Sequence, residues 1–491
     1  MIYVLFIYVL IKMYLCLVIY QQAHYEIKAY LKHFLYNFIF YDVFILLVLG
    51  LSLFTDDRVV LVVCGIFIIL YSIIYLFVRK HLHFTTRVIR LLVYLIIYIL
   101  LIGMLPYVNM WLYALIEFSI MPILLVDILI SNYINKGYIK KAKIKLDKYK
   151  GKKIIITGSY GKTSTKVLTN QVLGLYSNSI ATPKSYNTKL GIARFINESY
   201  IDLYDYLVLE YGASRIGDIK SLLKIASPDI AIITEIGYMH IDTFKSIDNI
   251  VKEKMLLAEA ANIAVLNYDN EYIRSYEFKN KPYIVSYGID HGDYRALNIN
   301  NRDFDFYYKN EYISHFSINL LGTHNILNFL AILSISHCLG LDIDKITRIS
   351  KALESEKNRL EIKKIANRVI LDDSFNSNLK GFKSALNILK SQDGKRILLT
   401  PGIVEVAKYM AEINNELSID IASSCDVVIL VGVRQTKDLY YRLKAYNLET
   451  YVVNDFFEGY SLYQAITKCY RITALLIEND LPDLYKRRVI F

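Results

Sequence analysis

The stretch "IIITGSYGKTSTK" at residues 154–166 decides the fold. The run "KKIIIT" that leads through its start is short, apolar and β-branched, as a buried strand is. Gly158 and Gly161 break it, and "TSTKVLTNQVLGLY" continues with helical spacing. Strand, glycine turn and helix in this order gather backbone N–H groups and a helix N-terminus around a phosphate. Lys162 would then reach the terminal phosphates, and the Thr163 hydroxyl would hold Mg²⁺. The usual pattern has a first Gly five residues before Gly161, where Ile156 stands, so a structural glycine turn is the competing reading.

Downstream, "YDYLVLEYGA" reads as a second buried strand ending at Glu210, a carboxylate placed beside the loop to bind a metal directly or through water. "DIAIITEIGYMHIDTF" reads as a further strand that delivers His240 at its end, and "SIDNIVKEKMLLAEA" as a helix. Taken singly, His240 is an ordinary polar residue; the order of these elements gives it weight. Beyond Arg359, "RVILDD", "KRILLTPG" and "CDVVILVG" alternate with helices, as in a small doubly wound sheet.

Upstream the sequence changes character. The chain of 491 residues is 54% hydrophobic, and apolar runs at about 1–20, 37–54, 59–78, 91–107 and 111–131 each approach the ~20 residues of a spanning helix. Lys12 interrupts the first run and no small-residue cleavage site follows it, so a retained helix is expected rather than a signal peptide. Basic loops alternate with non-basic ones, and "NKGYIKKAKIKLDKYKGKK" after the fifth run carries nine Lys and one Asp. The positive-inside bias predicts an N-terminus outside, a multi-pass protein of the plasma membrane and cytoplasmic catalytic domains. Glu117 and Asp127 fall within the fifth run, where a functional carboxylate competes with one facing an interface or a neighbouring helix.

Residues 1–153 hold 17 Lys and Arg against 7 Asp and Glu, so nearly all of the net charge of +11 lies there. The rest is close to neutral, which gives no case for a nucleic-acid partner. Five scattered cysteines, without a C-x-x-C pair, give neither a zinc site nor a disulfide framework.

From about Lys152 onward the chain resembles the Mur ligase family, ATP-dependent amide ligases of peptidoglycan precursor synthesis. "TGSYGKTST" is similar to that family's T-G-x-x-G-K-T loop, which lacks the first Gly. In order follow "YNTKLG" (186–191), "LEYGA" (209–213), "EIGYMHIDTF" (235–244), "EKMLLAE" (253–259), "NYDN" (267–270), "GTHNILN" (322–328), "NRLEI" (358–362) and "LDDSFNSN" (371–378). The last is most similar to the branch that adds D-alanyl-D-alanine, with Phe375 for a Tyr and Leu379 for a Pro, whereas "TPGIVEVA" and "IENDLPD" look like membrane-attached relatives.

Hydropathy and charge predict a transmembrane region at 1–135 and a basic linker at 136–151; the resemblance implies a P-loop central ATP-binding domain at 152–350 and a Rossmann-like domain at 351–491. It implies ATP and Mg²⁺ as cofactors. A muropeptide, UDP-linked or lipid-linked, and an amino acid or dipeptide amine are the implied substrates. Gly158, Ser159, Gly161, Lys162, Thr163, Ser164, Asn267, His324, Asn325, Arg359 and Asp373 would contact the nucleotide, with Asn328 supporting the turn and Asp372 an alternative to Asp373. Thr163, Glu210, His240 and a carbamylated Lys254 would hold metal, Lys252 being the alternative to Lys254. Lys162, His240 and Lys254 would carry the catalysis, and Asn187, Asn376 and Asn378 would meet the acceptor substrate. Other readings are amidation of a lipid-linked carboxylate, folate polyglutamylation, or a non-catalytic nucleotide-binding scaffold.

Overall fold

The run Ile154–Ile156 lies inside a nine-stranded mixed sheet with strand order β2-β3-β1-β4-β5-β6-β7-β8-β9. Its strands are β1 (Lys152–Thr157), β2 (Ser179–Ala181), β3 (Tyr206–Glu210), β4 (Ile230–Ile233), β5 (Ile263–Asn267), β6 (Tyr283–Gly288), β7 (Tyr294–Asn300), β8 (Asp303–Tyr308) and β9 (Glu311–Ser317). The computed structural model describes residues 2–23, 25–28, 30–31, 62, 66, 82–103, 116–183, 186–300, 302–354, 360–374, 379–403, 409–433 and 435–479.

Strands β1 to β6 pair in parallel, and β7 to β9 close the sheet with two antiparallel pairings. A parallel sheet is covered on both faces, which is why its strands are apolar without alternation. Ile154 and Ile156 point into one core with Leu168, Val172, Ile326 and Phe329. Ile155 points into the other, with Leu209, Ile233, Met255 and Leu257. The helices Lys162–Leu173 and Thr323–Cys338 therefore cover one face, and Ile247–Glu259 covers the other.

The second sheet has the order β10-β11-β15-β12-β13-β14. It comprises β10 (Glu361–Ile365), β11 (Arg368–Asp373), β12 (Lys395–Thr400), β13 (Val427–Val431), β14 (Glu449–Val453) and β15 (Thr473–Glu478). Only β10 runs antiparallel to its neighbour. Both sheets belong to one compact unit that begins at Tyr138.

Residues up to Gly137 belong to the other unit. Here the helices Ile2–Gln22 and Thr86–Gly103 and the start of Ile116–Lys148 supply a core of Leu17, Val88, Leu91, Leu95 and Leu124. Asp127 is buried among Arg87 (Nε, 2.8 Å), Arg90 (Nη2, 2.7 Å) and Ser131 (Oγ, 3.3 Å). It is an ion-pairing residue of the helical core; the Glu117 side chain lies outside the described residues.

Among the described residues, no helix is long and apolar enough to cross a membrane. This corrects the expected transmembrane bundle at 1–135, together with the membrane partner and the plasma-membrane location drawn from it. The runs at 37–54 and 59–78 fall outside the described residues, apart from Val62 and Ile66. Hydropathy alone does not separate a run that spans lipid from one whose leucines pack against neighbouring helices.

The turn that ends β1 constrains the site. Gly161 sits at φ 78° and caps the helix Lys162–Leu173. A Cβ there would meet Asn328 Oδ1 at 2.5 Å. Asn328 also accepts from Thr165 Oγ1 at 3.2 Å, so the helix Thr323–Cys338 buttresses the turn from below. Gly161→Ala is accordingly expected to lower unfolding free energy by about 1–3 kcal/mol, read by urea denaturation, and to weaken nucleotide binding beyond what that loss explains.

Candidate active site

Every loop residue from Ser159 to Ser164 lines one cavity of about 940 Å³. The loop is tied to the segment after β4: Ser159 N donates to Glu235 O at 2.5 Å, and Ser159 Oγ and Gly237 N are 3.0 Å apart. Lys162 Nζ folds back on Gly158 O (2.9 Å) and Ser159 O (3.0 Å).

Lys254 reaches the same carbonyl. It lies in the helix Ile247–Glu259 and is 2% exposed, with Nζ 2.9 Å from Gly158 O. Burial, and then the nearby Lys162 ammonium, push its pKa well below the usual lysine value. Lys252, two residues earlier, is exposed, which separates the two lysines that the sequence leaves as alternatives.

Glu210 ends β3, in register with Ile156 of β1, and so stands beside the loop. Its carboxylate is buried, with Lys166 Nζ 3.2 Å from Oε2 and Asn187 Nδ2 3.1 Å from Oε1. Thr163 is also buried, and both line the cavity. His240 does so too, although not from a strand end: β4 stops at Ile233, and His240 caps the single turn Ile241–Phe244 at φ 60°. The intervening "TEIGYM" leaves the sheet to grip the phosphate loop, which strand-like composition cannot reveal. Burial, then Lys254 and Lys162, lower the His240 pKa to about 4, so its imidazole is neutral near pH 7 and can act as a ligand.

A second group of residues lines the same cavity. Asn267, Thr323, His324, Asn325 and Asn328 line it from the first sheet's side. Asn325 Nδ2 donates to Leu321 O at 2.7 Å, and Asn267 Oδ1 accepts from Asp269 N at 3.1 Å. Asp373, Lys380, Gly381 and Glu478 line it from the second sheet's side. Lys380 Nζ is 2.9 Å from Glu235, so the two sheets meet across the cavity. Asp373 lines the cavity, whereas Asp372 is held by Lys363 Nζ at 2.7 Å and by Ser374. Arg359, Asn376 and Asn378 lie outside the described residues.

Sequence reasoning missed Lys166, Glu253, Lys380 and Glu478. Lys166 stands in the opening stretch, one helical turn after Lys162 on the same face, a spacing that could have flagged it. Glu253 accepts from Gly217 N at 2.9 Å and Ile219 N at 2.7 Å, pinning the cavity segment that contains Asp218. No local signal in "VKEKM" distinguishes Glu253 from a surface carboxylate.

A phosphate loop whose cavity is lined from two sheets is an arrangement suited to binding a nucleotide beside a second substrate. The Mur ligase middle domain family matches residues 156–335. The UDP-N-acetylmuramoyl-tripeptide–D-alanyl-D-alanine ligase of Borreliella burgdorferi is 29% identical over 333 residues, covering 64% of this chain and 70% of its own length. The corresponding Escherichia coli enzyme is 27% identical over 263 residues, 52% and 58% of the two chains. Among solved structures, MurF from Acinetobacter baumannii superposes with a TM-score of 0.63 at 21% identity, over 70% of this chain and 77% of its own. Residues 156–335 thus form a Mur ligase middle domain, and the chain is an ATP-dependent, ADP-forming amide ligase.

Glu253→Ala should leave two backbone N–H groups, one buried and one half-buried, without their acceptor and lower stability by about 1–3 kcal/mol. Thermal unfolding together with KM measurements checks it: the KM of the acceptor substrate is expected to rise, because the Gly217–Ser221 wall is released.

Proposed function

We propose that this ligase joins the terminal carboxylate of a UDP-N-acetylmuramoyl-tripeptide to the amine of D-alanyl-D-alanine. The names of its relatives support that choice of substrates. The observation that carries it is the cavity in which the phosphate loop, Glu210 and His240 share a lining with Asp373 and Lys380.

The residues fit the nucleotide and its metal. Nucleotide-bound Mg²⁺ takes one or two carboxylates together with phosphate oxygens and water rather than an all-protein cage. Among the described residues, no group of three or more His, Cys, Asp and Glu side chains could hold a metal ion, but a hydroxyl and a carboxylate, Thr163 and Glu210, line the cavity together. Lys254 has the low-pKa amine that reaction with CO₂ requires, and as a carbamate it would add oxygen donors beside His240.

ATP supplies a phosphoryl group that turns the acceptor carboxylate into an acyl phosphate, which the amine then displaces with loss of phosphate. In our reading, Lys162 and the loop N–H groups bind the phosphates and offset their charge. Thr163, Glu210, His240 and carbamylated Lys254 hold Mg²⁺, and Asn267, His324, Asn325, Arg359 and Asp373 hold the nucleoside and its phosphates. Asn376 and Asn378 meet the acceptor, while Asn187 acts through Glu210. The second sheet covers the cavity and keeps water from a hydrolysable intermediate.

Mixing the full chain with ATP, Mg²⁺, the UDP-linked tripeptide and D-alanyl-D-alanine is expected to release ADP in step with a product of the summed mass less water. ADP release that ignores the dipeptide but responds to another amine would overturn the substrate assignment. Lys162→Ala should reduce the rate by about 10³-fold or more, the scale of losing a charge clamp in phosphoryl transfer. Lys254→Ala should be inactive and partly rescued by formate, with Lys252→Ala near wild type; a fully active Lys254→Ala would remove the carbamate from the mechanism.

A further inference from the structure

The Lys166–Glu210 pair deserves a role of its own, because burying two opposite charges is weak as a stabilising device. Both side chains are almost wholly buried, at 2% and 1% exposure. Glu210 also forms part of the cavity wall, together with Asn187, while Lys166 backs it from the helix Lys162–Leu173. One donor sits on each Glu210 oxygen, Lys166 on Oε2 and Asn187 on Oε1. Asn187 is itself anchored, its carbonyl accepting from Gly212 N at 2.9 Å, and a Cβ on Gly212 would come within 2.9 Å of Asn187 Cγ. The carboxylate plane is therefore pinned from two independent elements, the helix Lys162–Leu173 and the segment before Lys189–Glu198.

A carboxylate offers about four lone-pair sites. Two are occupied by these donors, which leaves one on each oxygen for a cation or its water. We propose that Lys166 is a positioning residue of the metal site: with Asn187 it fixes the Glu210 carboxylate, and its ammonium competes with the cation so that Glu210 holds the metal loosely and in one orientation. This rests on the reading of Glu210 as a Mg²⁺ ligand. Two lysines one helical turn apart thereby divide the work, Lys162 meeting the loop and Lys166 the carboxylate. A loosely held metal can move with the phosphates as they are transferred and leave with ADP. A carboxylate freed from its ammonium would grip the cation more tightly and in a different orientation.

The test uses Mn²⁺ as the probe, its free concentration read by electron paramagnetic resonance in the presence of a non-hydrolysable ATP analogue, with ADP release measured in parallel. Lys166→Met is expected to bind Mn²⁺ about tenfold more tightly while kcat falls at least tenfold, and Lys166→Arg to return the affinity to within about threefold of wild type. A Lys166→Met protein with lower thermal stability but wild-type Mn²⁺ affinity and kcat would reduce the pair to a structural contact and overturn the proposal. Glu210→Gln separates the two layers: unchanged Mn²⁺ affinity there overturns the metal-ligand reading itself, whereas weakened affinity there with no change in Lys166→Met overturns only the role of Lys166. Should Lys166→Met fail to fold, Asn187→Ala carries the test, since it removes the neutral donor and keeps the ion pair. A fall in kcat with Mn²⁺ affinity near wild type then supports the pinned carboxylate, and an unchanged kcat overturns it.

Discussion

Two lysine ammonium groups converge on one carbonyl, Gly158 O, each at 2.9 Å. Lys162 arrives from the helix after the loop and Lys254 from a helix on the opposite face of the sheet, so the carbonyl marks where the two layers meet at the edge of β1. Bringing two cations together in a buried place is unfavourable for both charged forms. The lowered pKa values of Lys254 and His240 reflect this, with burial as the larger cause in each. A place that disfavours a second cation favours anions, and a phosphate chain is a multiple anion.

The parallel sheet is what permits this convergence. Register places Glu210 abreast of Ile156 and Ile233 abreast of Thr157, so the C-terminal ends of β1, β3 and β4 open on the same side. Ligands in such sheets bind outside the carboxyl ends of the strands, where loops are free to vary. The loop glycines allow the chain to turn there; Gly161 does so at positive φ with Asn328 filling the space a side chain would need. The second sheet presents the same edge to the cavity: Asp373 and Glu478 end the adjacent strands β11 and β15 in register.

The division of labour between buried and exposed charge follows from the same geometry. Lys166, Glu210, Glu253 and Lys254 are buried, and each has a named partner: Lys166 with Glu210, Glu253 with two backbone N–H groups, Lys254 with a carbonyl. Lys380, which reaches Glu235 from the second sheet, is by contrast largely exposed. Exposed ion pairs contribute little to stability, so this contact adds little to what holds the two sheets together.

Local sequence determined the strand–turn–helix around Gly161, the carboxylate at the end of β3, and the ordered motifs that resemble the Mur ligases, because each depends on residues within a few positions of one another. Tertiary structure alone separates a buried Lys254 from an exposed Lys252 and a cavity-lining Asp373 from an Asp372 paired with Lys363, since burial and partners depend on what packs from elsewhere in the chain. It moved His240 off a strand and onto a capped turn, and it showed Asn187 donating to Glu210 while lining the cavity. Among the described residues it also overturned the membrane-spanning reading, where leucines that look destined for lipid pack against one another in a helical core. Periodicity and hydropathy report what a segment can bury; only its neighbours determine against what.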